Sequence, residues 1–206
     1  MKKHKMIWTA TFFLTFGLAV QSMAQQSLQD AFSKSYTLEE DEDYEQAINA
    51  LKSACSGDSY ECNLRLGWLN YKAGEYTEAL RYYQACIDLK PLSIEARQGY
   101  ALPASVLSHW DDVLEKYREI LRIAPNHSLT NYRTGSIYYS RKDYETAEKY
   151  FEKVVNLYPF DYDSLLMLGW TKYFLGKNSE AKVLFNKVLL YTPGDESAIE
   201  GLGLLK

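Results

Sequence analysis

The sequence predicts an all-α chain of stacked helical hairpins, and three sets of residues carry that prediction. Pro91, Pro125, Pro159 and Pro193 fall 34 residues apart. Small residues keep the same interval at Gly67, Ala101, Gly135 and Gly169, and again, with one exception, at Ala79, Val113, Ala147 and Ala181. An aromatic column follows them at Tyr83, Tyr117, Phe151 and Phe185. A fixed period of this length marks one supersecondary unit repeated, each copy burying its apolar face on its neighbours.

The elements follow in order. Lys2, Lys3 and Lys5 precede an uncharged stretch from Met6 to Val20, and Ser22-Met23-Ala24 comes next. A basic start, a short apolar run and small residues at the −3 and −1 positions predict a cleaved leader over 1–24. A membrane span needs about 20 apolar residues. This stretch is shorter and carries Thr9, Thr11 and Thr15, so no stable membrane anchor is expected. No cysteine lies near the cleavage site, which disfavours a lipid anchor. The chain is therefore expected to be exported, and the periplasm of a Gram-negative bacterium is inferred from the leader alone.

The remaining domain, 25–206, divides into units at about 26–59, 60–93, 94–127, 128–161 and 162–195, with a half unit at 196–206. In each, a first helix (helix A) runs to a break such as Lys72-Ala73-Gly74 or Leu175-Gly176-Lys177. A second (helix B) then runs to the proline. Small residues at the eighth position of helix A and the twentieth in helix B are expected to face each other. They would bring the helices toward the short end of the usual 8–10 Å range. The aromatic four residues later fills the space between hairpins. Proline cannot continue helix B and biases the residue before it away from helical dihedrals. Two residues on, Ser93, Asp161 and Asp195 can cap the next helix. His127 breaks that column, with Ser128 beside it as the alternative cap. Two units depart from the pattern. The first has Ala47 and Ala54 but no proline, and its connection is read as two residues shorter. The third carries Pro103 inside helix A, where its ring opposes the carbonyl of Gly99, and a kink or a hinge is expected there.

Charge narrows the partners. Taking the three leader lysines from 23 basic residues, against 27 acidic ones, leaves a net charge of −7. That balance argues against nucleic acid and anionic lipid, which select basic surfaces. The run Glu39-Glu40-Asp41-Glu42-Asp43 reads as a solvated turn. Cys86 shares a column with Ile120, Val154 and Val188 and reads as a core residue. Cys55 and Cys62 lie across the Ser56-Gly57-Asp58 turn. An oxidising compartment permits a disulfide there, but sequence does not fix the geometry, so bridged and free forms both stay open. No histidine accompanies the pair, which disfavours a metal. Phosphate-loop, dinucleotide and zinc motifs are absent, so no cofactor is expected. His109 and His127 read as turn residues without a nucleophile or orienting acid in reach, so the chain is not read as an enzyme.

Columns in phase over most of the chain resemble the tetratricopeptide-repeat family. The resemblance implies a right-handed solenoid in which helix A lines the concave face, with its second, fifth, ninth, twelfth and thirteenth positions meeting ligands. Carried onto this chain, those positions include Trp68, Tyr71, Tyr132, Tyr139, Trp170 and Tyr173, a candidate aromatic groove. Aromatic side chains bury large areas with few rotors. Packing between neighbouring helix A faces is the competing role for the same rings. Chaperone-binding members need Lys or Arg at the fifth position and Asn at the ninth. Here those positions hold Leu64, Gln98, Tyr132 and Leu166, then Trp68, Leu102, Ser136 and Trp170, so that partner class is excluded. The expected function is an adaptor or scaffold binding a protein or peptide segment. The alternative is a carbohydrate-binding accessory protein of the envelope. Leu64, Leu102, Leu129 and Leu166 among the rings suit a protein partner better than a sugar.

Overall fold

A computed structural model describes residues 25–205, and the expected leader at 1–24 lies outside the described residues. The described residues are helical throughout, joined by short turns. Helix α1 covers 25–40. It is followed by α2 (Tyr44–Ala54), α3 (Tyr60–Lys72), α4 (Tyr76–Leu89), α5 (Ile94–Val106) and α6 (Trp110–Ile123). Then come α7 (Ser128–Ser140), α8 (Tyr144–Leu157), α9 (Tyr162–Phe174), α10 (Asn178–Tyr191) and α11 (Glu196–Leu204). Odd helices are the A type and even helices the B type. No helix among the described residues is long and apolar enough to cross a membrane. The chain divides into two compact units, and the division along the sequence falls within α6, between Val113 and Leu114.

In the first unit α3 packs on α2, α4 and α5, and α4 on α5. Its core gathers Ala47, Ile48 and Leu51 of α2, Leu66 and Leu69 of α3 and Tyr82 of α4. A second cluster holds Tyr60, Cys86, Ile87 and Ala96. In the second unit α8 packs between α7 and α9, and α10 between α9 and α11. Phe151 and Phe185 are fully buried there among Leu165, Leu168, Ala181 and Val188. Each such ring stabilises the fold by about 1.5–3 kcal/mol through burial.

The atoms nearest each glycine of this column belong to an aromatic ring of helix B. A Cβ on Gly135 would lie 2.9 Å from the Phe151 ring, and one on Gly169 2.8 Å from the Phe185 ring. The same ring also serves the next repeat. Tyr83 would meet a Cβ on Gly99 at 2.2 Å, and Phe185 one on Gly201 at 2.5 Å. One aromatic is thus wedged between two A helices, and glycine is what lets it in.

Three readings are corrected. His127, not Ser128, caps α7: the Thr130 N–H donates to His127 Nδ1 at 3.2 Å, and Ser128 is the first helical residue. The shortening of the first repeat lies in α2, which has 11 residues where α4 has 14, and not in the connection after it. Glu39 leaves the solvated acidic run, because Arg65 and Trp68 both donate to its carboxylate. α5 continues through Pro103 to Val106. Every turn from helix A to helix B has one left-handed residue. It is glycine at Gly74 and Gly176 but Glu42, Ser108 and Lys142 elsewhere.

Candidate functional site

The six candidate aromatics divide between the two units, and in each unit the helix register decides which of them meet. On α3, Trp68 and Tyr71 are three residues apart and therefore share a face. Their ring centroids lie 5.8 Å apart, and Tyr71 continues to Tyr76 at 6.0 Å. The Lys72 ammonium stands 5.9 Å from the Trp68 ring and 5.8 Å from that of Tyr44. The Trp68 indole N–H donates to Glu39 of α1, whose carboxylate also takes Arg65. Burial alone would raise Glu39. The hydrogen bonds from Trp68 and Arg65, with the charges of Arg65 and Lys72, bring its carboxyl below the usual range instead.

The second unit builds a larger group. Phe174 of α9 stacks on Tyr144 of α8 at 4.8 Å with planes 11° apart. Tyr139 of α7 meets Tyr144 at 5.4 Å and Phe174 at 6.0 Å. Trp170 and Tyr173 flank Phe174 at 6.3 and 5.3 Å. The structure therefore brings Tyr139, Trp170 and Tyr173 together, with Phe174 as the member that touches all three. Tyr132 does not join them. It packs on the buried Phe151 at 5.8 Å, and burial, aided by Asp163, raises its phenol.

All six candidates are half-buried. Trp170 packs edge-on against Phe185 at 5.1 Å and donates to Ser197 Oγ at 2.9 Å. The most exposed ring of the group is Phe174, at 48 %. It occupies the thirteenth position of its helix A, one of the ligand-facing positions, where its equivalents are Lys72, Val106 and Ser140. Tyr144 was missed because it opens a B helix. Its signal was present, since Tyr76, Trp110 and Tyr144 hold the 34-residue interval.

A second cluster surrounds Lys172, which is 5 % exposed. Its ammonium pairs with Glu148, with Glu152 at 2.7 Å and with Glu180 at 2.6 Å, and Lys177 reaches Glu148 at 2.6 Å. Burial disfavours the Lys172 charge, but the hydrogen bonds of the three glutamates outweigh it and raise the pKa above the ordinary lysine value. The carboxylate oxygens lie within 4.8 Å of one another, as metal ligands would. The ammonium already neutralises them from the centre, so the group is a salt-bridge network. It borders a cleft of about 580 Å3 walled by α8 and α10 and floored by Leu168.

Cys55 and Cys62 are bonded to each other, with Cα atoms 5.9 Å apart. Cys86 is free and buried, and burial pushes its thiol up to about 12, which leaves it inert as a nucleophile at neutral pH. His109 is half-exposed and 3.8 Å from Asp112.

Comparison with known proteins agrees with the geometry of the hairpins. A model described as tetratricopeptide repeat matches residues 60–93 and 128–161, and a second of the same description matches 163–193. The chain is 25 % identical over 128 residues to anaphase-promoting complex subunit 6 of Arabidopsis thaliana, a match covering 62 % of this chain. It spans only 24 % of that relative's length. A tetratricopeptide repeat protein from Parabacteroides merdae has the same fold, with a TM-score of 0.74 at 24 % identity over 87 % of this chain and 72 % of that one. YrrB, described as a TPR protein with an unusual peptide-binding site, gives 0.68 at 13 % identity over 90 % of this chain and 96 % of its own. These likenesses and the repeat matches lead to one conclusion: the chain belongs to the tetratricopeptide-repeat family.

Proposed function

We propose that the protein is an exported, non-enzymatic adaptor that holds a segment of a partner protein against the aromatic patch of its second unit. The observation that carries this reading is the group of Tyr139, Tyr144, Trp170, Tyr173 and Phe174 on three helices, with the Phe174 ring half open to solvent. An exposed aromatic ringed by others is the composition of a binding hot spot. Repeats of this family serve as protein-binding scaffolds, and the peptide-binding site named for YrrB favours a peptide ligand here. The Trp68–Tyr71 pair is a second, smaller candidate contact. Export rests on the basic start and the Ser22-Met23-Ala24 segment, and a disulfide fits an oxidising compartment.

Phe174→Ala is the variant that tests the reading, because Phe174 is exposed and carries little of the core. The wild-type chain is used to retrieve its partner from the native envelope, and the variant is then titrated against that partner. The expected result is an affinity at least about thirtyfold lower, as for a hot-spot residue, from a variant that stays folded with a melting temperature lowered only by the lost ring contacts. Equal retention of the partner by a folded variant would remove this patch from consideration.

A further inference from the structure

We propose that the Cys55–Cys62 disulfide is a redox latch: its reduction releases the α1–α2 hairpin from α3 and uncovers Arg65 and Trp68.

The first repeat ends differently from the others. α4, α6, α8 and α10 each run for 14 residues, and each is followed by a proline. α2 stops at Ala54 after 11 residues, and no proline follows. In α4 the corresponding last turn carries Ile87, 7 % exposed and part of the core of its repeat. α2 has no such turn and puts the disulfide in its place. The bond joins the C-cap of α2, Cys55, to Cys62 in the first turn of α3. The loop between them, Ser56, Gly57 and Asp58, is exposed.

The two sulfurs differ in access. Cys62 is 1 % exposed, whereas Cys55 is half-buried beside the open loop. An incoming thiolate from a dithiol therefore attacks Cys55. The Sγ–Sγ bond breaks, and Cys62 leaves as a thiolate in the first turn of α3, where the N-terminal end of the helix favours negative charge, before taking a proton from solvent. The second thiol of the reductant then attacks the mixed disulfide, closes its own disulfide and frees the Cys55 thiol. Two electrons pass from the dithiol to the protein, and two protein thiols result.

What the hairpin covers gives the latch its consequence. Arg65 of α3 is buried under α1, where its Nε donates to Ser35 Oγ at 3.1 Å and a terminal nitrogen donates to the Ser35 carbonyl at 3.0 Å. The Tyr36 ring lies 3.9 Å from the guanidinium carbon. Glu39 takes both Arg65 and Trp68. All of these covering groups belong to α1, so when the hairpin lifts, a cation and an indole become exposed together. In a repeat array each unit is held chiefly by its neighbours, and in this unit a covalent bond that chemistry can open adds to the apolar contacts of Ala47, Ile48 and Leu51 with the next repeat. The inference stands on the first unit alone and does not depend on whether the aromatic patch of the second binds a partner.

The test uses the full chain purified in its oxidised form, before and after dithiothreitol under native conditions. Free thiols, counted after the reductant is removed and the chain is unfolded, should rise from one to three. Amide exchange across 25–54 should then quicken by about a hundredfold, the scale expected for opening a short disulfide loop. Hydroxyl-radical labelling of Trp68 should increase while that of Trp170 does not. Cys55→Ser cannot close the bridge and should reproduce the reduced state without any reductant. If that variant does not fold, the dithiothreitol arm still decides. The proposal is overturned if the bridge resists native reduction, if three thiols appear with 25–54 and Trp68 unchanged, or if exchange quickens equally in α9–α11.

Discussion

Trp68 and Trp170 occupy the same position of helix A three repeats apart, one in each compact unit, and the molecule uses them in opposite ways. Trp68 turns its indole N–H back to Glu39 in the preceding A helix, and a buried guanidinium shares that carboxylate. Trp170 turns its N–H forward to the neutral Ser197 of the following A helix and sets its ring edge-on to Phe185. The first unit thus surrounds its tryptophan with charge, and the second surrounds its own with rings. Equivalence in a repeat fixes where a side chain stands and leaves its partners to the neighbouring columns.

The buried cations of the two units separate most sharply. Arg65 faces one carboxylate, which also has Trp68 and is near Lys72. Lys172 is the common partner of three, and only Glu148 has a second cation in Lys177. Lys172→Met leaves Glu152 and Glu180 without their ammonium and within repulsive reach of each other. Breaking a buried pair from one side costs about 3–5 kcal/mol. The exposure of Glu152 and Glu180 places this site at the lower end, about 3 kcal/mol. Arg65→Met should cost less, because Glu39 keeps the indole donor. Urea unfolding of the two variants, with exchange to locate the loss, checks the order. A larger loss for Arg65→Met would show that the Ser35 contacts, not the number of orphaned carboxylates, decide stability.

The two tryptophans can be compared directly. Trp68→Phe and Trp170→Phe remove the same atoms, so the difference between them reads the hydrogen bond against the ring packing of Trp170 on Phe185. A bond to a charged acceptor contributes about 1.5–3 kcal/mol and one between neutral groups about 0.5–1.5 kcal/mol, so Trp68→Phe should be the more destabilising by about 1 kcal/mol. Acid sharpens the contrast. Glu39 has its carboxyl held below the ordinary value, so its contribution is complete above about pH 4.3 and fades as the pH falls through the lower native value. Ser197 does not titrate. In proton–nitrogen spectra the indole signal of Trp68 should move with a midpoint below about pH 4.3, while that of Trp170 stays in place. Signals that move together would mean that acid acts on the whole array.

The fold was legible because its evidence is periodic. Proline, glycine and aromatic columns repeat with the hairpin, and each imposes a local constraint that survives whatever surrounds it. The direction of a side chain is less legible. Gly135 and Ala147 are both small and in phase, yet only coordinates show that Phe151 fills the space opposite the glycine. The candidate site was half legible for the same reason. Trp170, Tyr173 and Phe174 could be placed from the repeat, although Phe174 has no aromatic equivalent in the other units, whereas Tyr144 comes from the other helix of its hairpin. Glu39 could not be separated from its four acidic neighbours, because its partner Arg65 lies in the next repeat.

The smallest effect concerns the turn between helix A and helix B, where the repeats of each unit differ among themselves. The left-handed residue is Gly74 in one hairpin of the first unit and Gly176 in one of the second, but Lys142 holds the same place at φ 62°. A side chain there crowds the carbonyl that follows, and glycine does not. The turn is otherwise the same: Asp143 N–H reaches the Tyr138 carbonyl at 3.0 Å, as Lys177 N–H reaches that of Lys172 at 2.9 Å. Lys142→Gly should therefore gain the strain that Lys142 carries, about 1 kcal/mol, and lose part of it to the greater freedom of glycine in the unfolded chain. A net gain of about 0.5 kcal/mol is expected, read as a small rise in the urea midpoint at constant slope. A loss of stability would mean that the lysine side chain makes contacts at this turn that offset its backbone strain, and that the glycine turns are not interchangeable with it.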